Sequence, residues 1–156
     1  MANSDALPDL SVLREISGLE FMQRILDGRL PPPPIAATLK FELAAVAEGE
    51  VQFTASPGLH GYNPLGSMHG GWYGVLLDSA MGCAVMTKLA PGYNYTTLEY
   101  KVNILRAATR DSGEVRALGQ VVRVGRRSGV AEGRIVGVED GKLYATGSTT
   151  CLVFPI

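Results

Sequence analysis

Apolar residues recur along this chain in three rhythms, and each rhythm predicts a different element. Between Leu10 and Leu26 they fall at positions 10, 13, 16, 19, 22, 25 and 26, roughly the spacing of one helical face, which predicts a surface helix. The run Gly70–Leu89 (GGWYGVLLDSAMGCAVMTKL) is apolar on every side, and a helix of that kind is buried. Strands are predicted over Thr38–Ala47, Val51–Ser56, Asn94–Leu105, Gly113–Val124, Gly129–Glu139 and Lys142–Phe154. Within Asn94–Leu105, alternation puts Thr96, Leu98, Tyr100, Val102 and Ile104 on one face and Thr97, Glu99, Lys101 and Asn103 on the other. Turn residues punctuate these runs. Asp27-Gly28 stops the first helix, and Pro31–Pro34 reads as an extended, stiff connector. Glu48-Gly49-Glu50, Asp111-Ser112-Gly113, Gly125–Gly129 and Glu139-Asp140-Gly141 carry hairpin signals.

The order is therefore helix, two strands, one long buried helix, four strands. A helix with no polar face has to be enclosed, and hairpin-linked strands pair antiparallel. The expected fold class is α+β: a six-stranded antiparallel sheet wrapped around one long central helix, with an extra N-terminal helix. Consecutive strands without intervening helices argue against a doubly wound parallel sheet. Residues 1–35 hold the first helix and the proline connector, and 36–156 the main domain.

A length of 156 residues bounds this to one domain. A formal net charge of -1, with no basic stripe, argues against a nucleic-acid partner. The two cysteines, Cys83 and Cys151, lie in apolar runs without metal-ligand spacing, and buried thiols are expected in preference to a disulfide. The start MANSDALPDL lacks the pattern of a signal peptide. Gly70–Leu89 is long enough to raise the question of a membrane span, but its small residues, its internal Asp and the strands that follow favour a core helix. A cytoplasmic protein without membrane attachment is expected.

Asp78 is the only charged side chain in the long helix before Lys88. An unpaired buried carboxylate costs several kcal/mol, so it needs a compensating role. On a helical wheel Gly71, Gly74, Asp78 and Gly82 share one stripe. Glycines in that setting mark a close approach to the backbone, either by a ligand or by tight packing against a neighbouring element. His69-Gly70-Gly71 leads into the helix, whose first turn offers unpaired N–H groups and partial positive charge. A carbonyl docked there would be polarised, and its oxyanion held more strongly still. His69 could equally serve only as the helix cap.

The spacing Asn63–x5–His69-Gly70-Gly71–x6–Asp78 resembles that of hotdog-fold acyl-CoA thioesterases of the PaaI (phenylacetic acid degradation) type. The likeness runs from about Thr38 to the end and includes the Gly125-Arg126-Arg127 turn. It implies a hotdog fold, homodimers or homotetramers (dimers of dimers) with sites across subunit interfaces, and an acyl-CoA substrate. It implies no metal and no cofactor, coenzyme A being part of the substrate. Carried over to this chain, Asp78 would attack the thioester carbonyl or deprotonate the water that does. The Gly70 N–H would hold the carbonyl oxygen, with Gly71 beside it. Asn63 would orient water or carbonyl, and His69 would support the loop or the leaving thiolate. A hydroxyl position falls on Thr96 or Thr97, and the strand alternation favours Thr96. Arg126 and Arg127 would meet the nucleotide phosphates of coenzyme A, with Arg106 and Arg123 as further basic candidates. Trp72, with Tyr73, Met81 and Leu59, would line the acyl tunnel. Two other readings use the same residues: a hotdog enoyl-CoA hydratase or dehydratase with His69 and Asp78 as an acid–base pair, and a non-catalytic acyl-CoA-binding protein.

Overall fold

The computed structural model describes residues 7–156. The first six residues of the 1–35 segment lie outside the described part. Helix α1 is Gly18–Leu26 and α2 is Pro34–Leu39; strands β1 (Phe41–Ala47) and β2 (Glu50–Ala55) follow. Next come the long helix α3 (Gly70–Met86), then β3 (Tyr93–Ile104), β4 (Val115–Val124), β5 (Ser128–Gly137) and β6 (Leu143–Pro155). All pairings are antiparallel in one six-stranded sheet of order β1-β2-β4-β5-β6-β3. The sheet wraps α3, as the uniform apolarity of that helix requires. Leu76, Leu77, Ala80, Met81, Ala84 and Val85 have no exposed surface.

Two of the predicted elements differ. The single helix over Leu10–Leu26 is a short 3-10 turn, Leu10–Arg14, followed by α1, because Ser17 caps a new helix by accepting from the Glu20 N–H. The proline run is extended only in part. Pro33 has φ -65 and ψ 139, whereas Pro34 is the first residue of α2, where a missing N–H costs nothing. That helix takes the residues predicted to begin the first strand.

Sheet and helix meet through a row of strand glycines. Gly119, Gly133 and Gly147 are successive cross-strand partners on β4, β5 and β6. A Cβ on Gly119 would collide with the Ala80 backbone of α3, and one on Gly133 would lie 2.9 Å from Met81 Cγ. Without side chains in this row, α3 settles onto the backbone of the sheet. At the far end of α3, the buried Thr87 hydroxyl donates to the Ala84 carbonyl and accepts from the Gly49 N–H at 2.7 Å, tying the β1–β2 turn to the helix.

Candidate active site

The opposite flank of α3 lies against β3, and there the glycines are on the helix. A Cβ on Gly74 would lie 3.1 Å from the Tyr100 hydroxyl, one on Gly82 2.8 Å from the Tyr95 hydroxyl, and one on Gly70 3.3 Å from Ile104 Cδ1. The stripe is thus 70, 74, 78 and 82, one turn apart each, with Gly70 in place of Gly71. Close packing accounts for its glycines. Asp78 is the one polar member, and β3 answers it with Thr97, whose hydroxyl donates to Asp78 Oδ1 at 2.8 Å.

Alternation along β3 misassigned this hydroxyl. The register with β6 slips between Thr97 and Glu99, so Leu98 is an extra, bulged residue. Tyr95 and Thr97 face α3 before the bulge, and Tyr100 and Ile104 after it. Thr96 and Leu98 are exposed. The buried Thr149 hydroxyl donates to the Glu99 carbonyl at 2.8 Å and holds the irregular backbone in place. No simple period-two reading survives a bulge, so Thr97, and not Thr96, reaches the carboxylate.

Asp78 is half-buried and belongs to none of the four ion pairs among the described residues. It lines a cavity of about 1120 Å3 together with Ser79, Cys83, Tyr95, Phe41 and Phe53. Two thiols and a phenol near Asp78 hold their protons more tightly than usual. Burial pushes the Cys83 thiol up to about 12, against a hydrogen bond from Tyr95 that works the other way. Burial likewise raises Tyr95 well above the usual phenol value and raises Cys151. Both cysteines are free, as expected. A thiol held protonated is a poor nucleophile, so neither cysteine is the candidate that Asp78 is.

The loop before α3 is organised by Asn63. Its Oδ1 accepts from the N–H groups of Leu65 and Ser67, and its Nδ2 donates to Ser67 Oγ. His69 is the N-cap of α3, its Nδ1 accepting from the Gly71 N–H at 2.9 Å. The Trp72 N–H donates to the His69 carbonyl. Among the described residues the Gly70 N–H has no acceptor and is the open donor of the first turn. Gly70 and Asp78 are eight residues apart on one helix, about 12 Å at ~1.5 Å per residue. His69 is one residue further still, so within one chain it forms no acid–base pair with Asp78.

The expected tunnel lining lies elsewhere. Trp72 and Tyr73 are buried in the core, their rings edge-on at 5.3 Å, and Met81 is buried with them. Leu59 is on an exposed loop. Neither these nor Trp72 borders the cavity at Asp78. Arg126 and Arg127 are exposed on the β4–β5 hairpin. Gly129, Cys151 and Thr97 form one cross-strand row, so that hairpin lies about 10 Å from Thr97, two strand spacings away. Arg106 stacks over the Tyr144 ring at 6.0 Å, and Arg123 is exposed on β4. Of the two threonines offered by sequence reasoning the bulge selects Thr97 over the preferred Thr96, and what sequence reasoning missed is a set of N-terminal apolar residues bordering the cavity. The apolar face of the first helix was the available signal for that set.

Residues 65–144 match the Thioesterase superfamily. A search of curated proteins finds no match. Among solved structures, a phenylacetic acid degradation-related protein of Ralstonia eutropha is 30% identical with a TM-score of 0.75, covering 85% of this chain and 98% of its own. A thioesterase family protein from Silicibacter pomeroyi is 25% identical with a TM-score of 0.77, covering 88% of this chain and 99% of its own. The PaaI protein of the Escherichia coli phenylacetic acid degradation operon shares the fold at 21% identity, with a TM-score of 0.76 over 88% of this chain and 96% of its own. Among the described residues no helix is long and apolar enough to cross a membrane.

Proposed function

The chain belongs to the thioesterase superfamily and is a thioester hydrolase of hotdog fold, and on that premise we propose that it cleaves acyl-CoA thioesters at Asp78. The observation that carries this reading is the carboxylate on the cavity wall, held by Thr97 through one oxygen and, among the described residues, in no ion pair. With Oδ1 fixed, Oδ2 either attacks the carbonyl carbon or takes a proton from the water that attacks it. In the first case the C–S bond breaks, CoA leaves as thiolate, and water hydrolyses the acyl–aspartyl anhydride. In the second, water oxygen bonds to the carbonyl carbon and the tetrahedral intermediate expels the thiolate. The scheme uses only side chains, a backbone amide and water.

The Gly70 N–H, backed by the helix N-terminus, stabilises the oxyanion. A donor and a carboxylate about 12 Å apart cannot both lie near 3 Å from one carbonyl, so the oxyanion donor comes from a second copy. Strand β3 supplies the interface: it is an edge strand with Tyr93, Leu98, Tyr100 and Ile104 exposed, a template for pairing with another chain. Gly70 lies beside Ile104 and Asp78 beside Thr97, with the Gly74–Tyr100 contact between them. An antiparallel β3–β3 pairing about a two-fold axis near Tyr100 brings Gly70 of the partner subunit towards Asp78. His69 and Asn63 shape the loop that presents this amide, and Arg126 and Arg127 contact the phosphates of coenzyme A.

The test is a panel of acyl-CoAs with a thiol-trapping dye. Asp78→Ala is expected to lose roughly 10²–10⁴-fold in kcat while melting near the wild-type temperature. Wild-type-like turnover by the variant, or no thiol release by the native protein, refutes the assignment.

A further inference from the structure

The N-terminal segment is a wall of the site and not an appendage. Its backbone is bonded into the main domain: the Gly18 N–H donates to the Leu89 carbonyl at 3.0 Å and the Gly92 N–H to the Leu13 carbonyl at 2.7 Å. Gly18 lies so close to the Met86 carbonyl that no side chain fits there. Gln23 Nε2 donates to the Val46 carbonyl. The surface this segment turns inward is apolar and borders the cavity that Asp78 borders from the other side. Leu13, Phe21, Met22 and Ile25 come from the first turn and α1, and Ile35 and Ala36 from α2.

We propose that this segment is the specificity wall of the enzyme and that the acyl group it receives is a long aliphatic chain. The placement of the thioester rests on the hydrolysis proposed at Asp78; the occupant is argued from the cavity. A volume of about 1120 Å3 exceeds the ~300–1,000 Å3 that encloses a drug-sized ligand. The cavity's N-terminal wall runs across the turn before α1, α1 itself and α2, a longer apolar surface than a single aromatic ring can touch. The N-terminal side chains named above offer aliphatic and aromatic carbon and no hydrogen-bonding group, so they discriminate by length and volume. The proline run stiffens the chain between α1 and α2, which keeps the two apolar faces at a fixed separation.

The experiment measures kcat/KM of the full chain for butanoyl-, octanoyl-, palmitoyl- and phenylacetyl-CoA, alongside calorimetric binding of free palmitate. Wild type is expected to favour the longer chains, by up to roughly fourfold per methylene, the equivalent of a fully buried CH₂. Ile25→Trp and Ile35→Trp fill the cavity from its N-terminal side and are expected to cut the palmitoyl-to-butanoyl ratio at least tenfold and to abolish palmitate binding. Ile35 is half-exposed, so its replacement is compatible with a wild-type melting temperature. A length preference untouched by both substitutions, or a preference for phenylacetyl-CoA over octanoyl- and palmitoyl-CoA, overturns the inference while leaving the hydrolase reading standing. If no acyl-CoA is cleaved, the hydrolase reading falls, and palmitate binding alone decides: binding lost in the tryptophan variants supports the wall, and no binding to wild type overturns it.

Discussion

Helix α3 meets the sheet on two flanks that solve the same packing problem in opposite ways. Towards β4, β5 and β6, bulk is on the helix, in Leu77 and Met81, and the strands yield with Gly119, Gly133 and Gly147. Towards β3, bulk is on the strand, in Tyr95, Tyr100 and Ile104, and the helix yields with Gly70, Gly74 and Gly82. The first flank brings the strand backbone against the helix backbone at Gly119 and against the Leu77 and Met81 side chains at Gly133 and Gly147. The second brings a glycine backbone against ring edges and flexible tips, and it carries Asp78 on the wall of a cavity. The two flanks differ in which partner carries the small residues, and the proposed chemistry belongs to the flank where the helix carries them.

That contrast can be broken by substitution. Gly119→Ala drives a methyl into the Ala80 backbone and is expected to cost about 3 kcal/mol or more, since overpacking against immovable atoms lies at the severe end of its range. Chemical denaturation measures it, and a loss below about 1 kcal/mol would show that the flank can relax. Next in size is Thr97→Val, which removes the donor to Asp78 and is expected to lower kcat about tenfold at an unchanged melting temperature. Thr97→Ser should restore most of it, whereas Thr96→Val, on the exposed side of β3, should leave kcat near wild type. Equal effects at 96 and 97 would contradict the bulged register. Gly74→Ala meets only the tip of Tyr100. Its gain in helix propensity of roughly 0.5–1 kcal/mol offsets the displacement, so stability is expected to stay within about 1 kcal/mol of wild type.

A last effect is confined to alkaline solution. The folded protein keeps the Cys83 proton up to about 12, whereas the unfolded chain releases it near 9.0. Stability from this group is therefore whole below the unfolded value and is lost as pH rises towards the folded one. Cys83→Ala should flatten the decline of the melting temperature across that window. An unchanged slope assigns the decline to Tyr95, whose phenol is raised in the same direction.

The fold was largely legible because its main signal is coarse. A helix apolar all round must be enclosed, and the α3 and β2–β6 boundaries fall within two or three residues of the turn signals that predicted them. Asp78 was legible for the same reason, as the one charge in an oily run. The choice between Thr96 and Thr97 was not, because a single inserted residue at Leu98 reverses the face of everything before it. The proline run misled because its last member starts a helix. Trp72, Tyr73 and Met81 pass in the sequence for tunnel lining because a helix buried on all sides does not reveal which side borders a cavity, and only the position of the sheet puts them in the core. The strand glycines went unread because their row exists only once register aligns β4, β5 and β6.

The assignment of amide and carboxylate to different subunits has one direct test. Gly70→Pro deletes the N–H at a first-turn position that accepts proline readily, and Asp78→Ala deletes the carboxylate. Each variant alone is expected to be nearly inactive. Co-folded as a mixture, they form mixed dimers in which one site carries both lesions and the other carries neither. Thiol release should then recover to about a quarter of the wild-type rate, since half the dimers are mixed and half their sites intact. A mixture no more active than its two components would place both groups in the same chain's site and contradict the account.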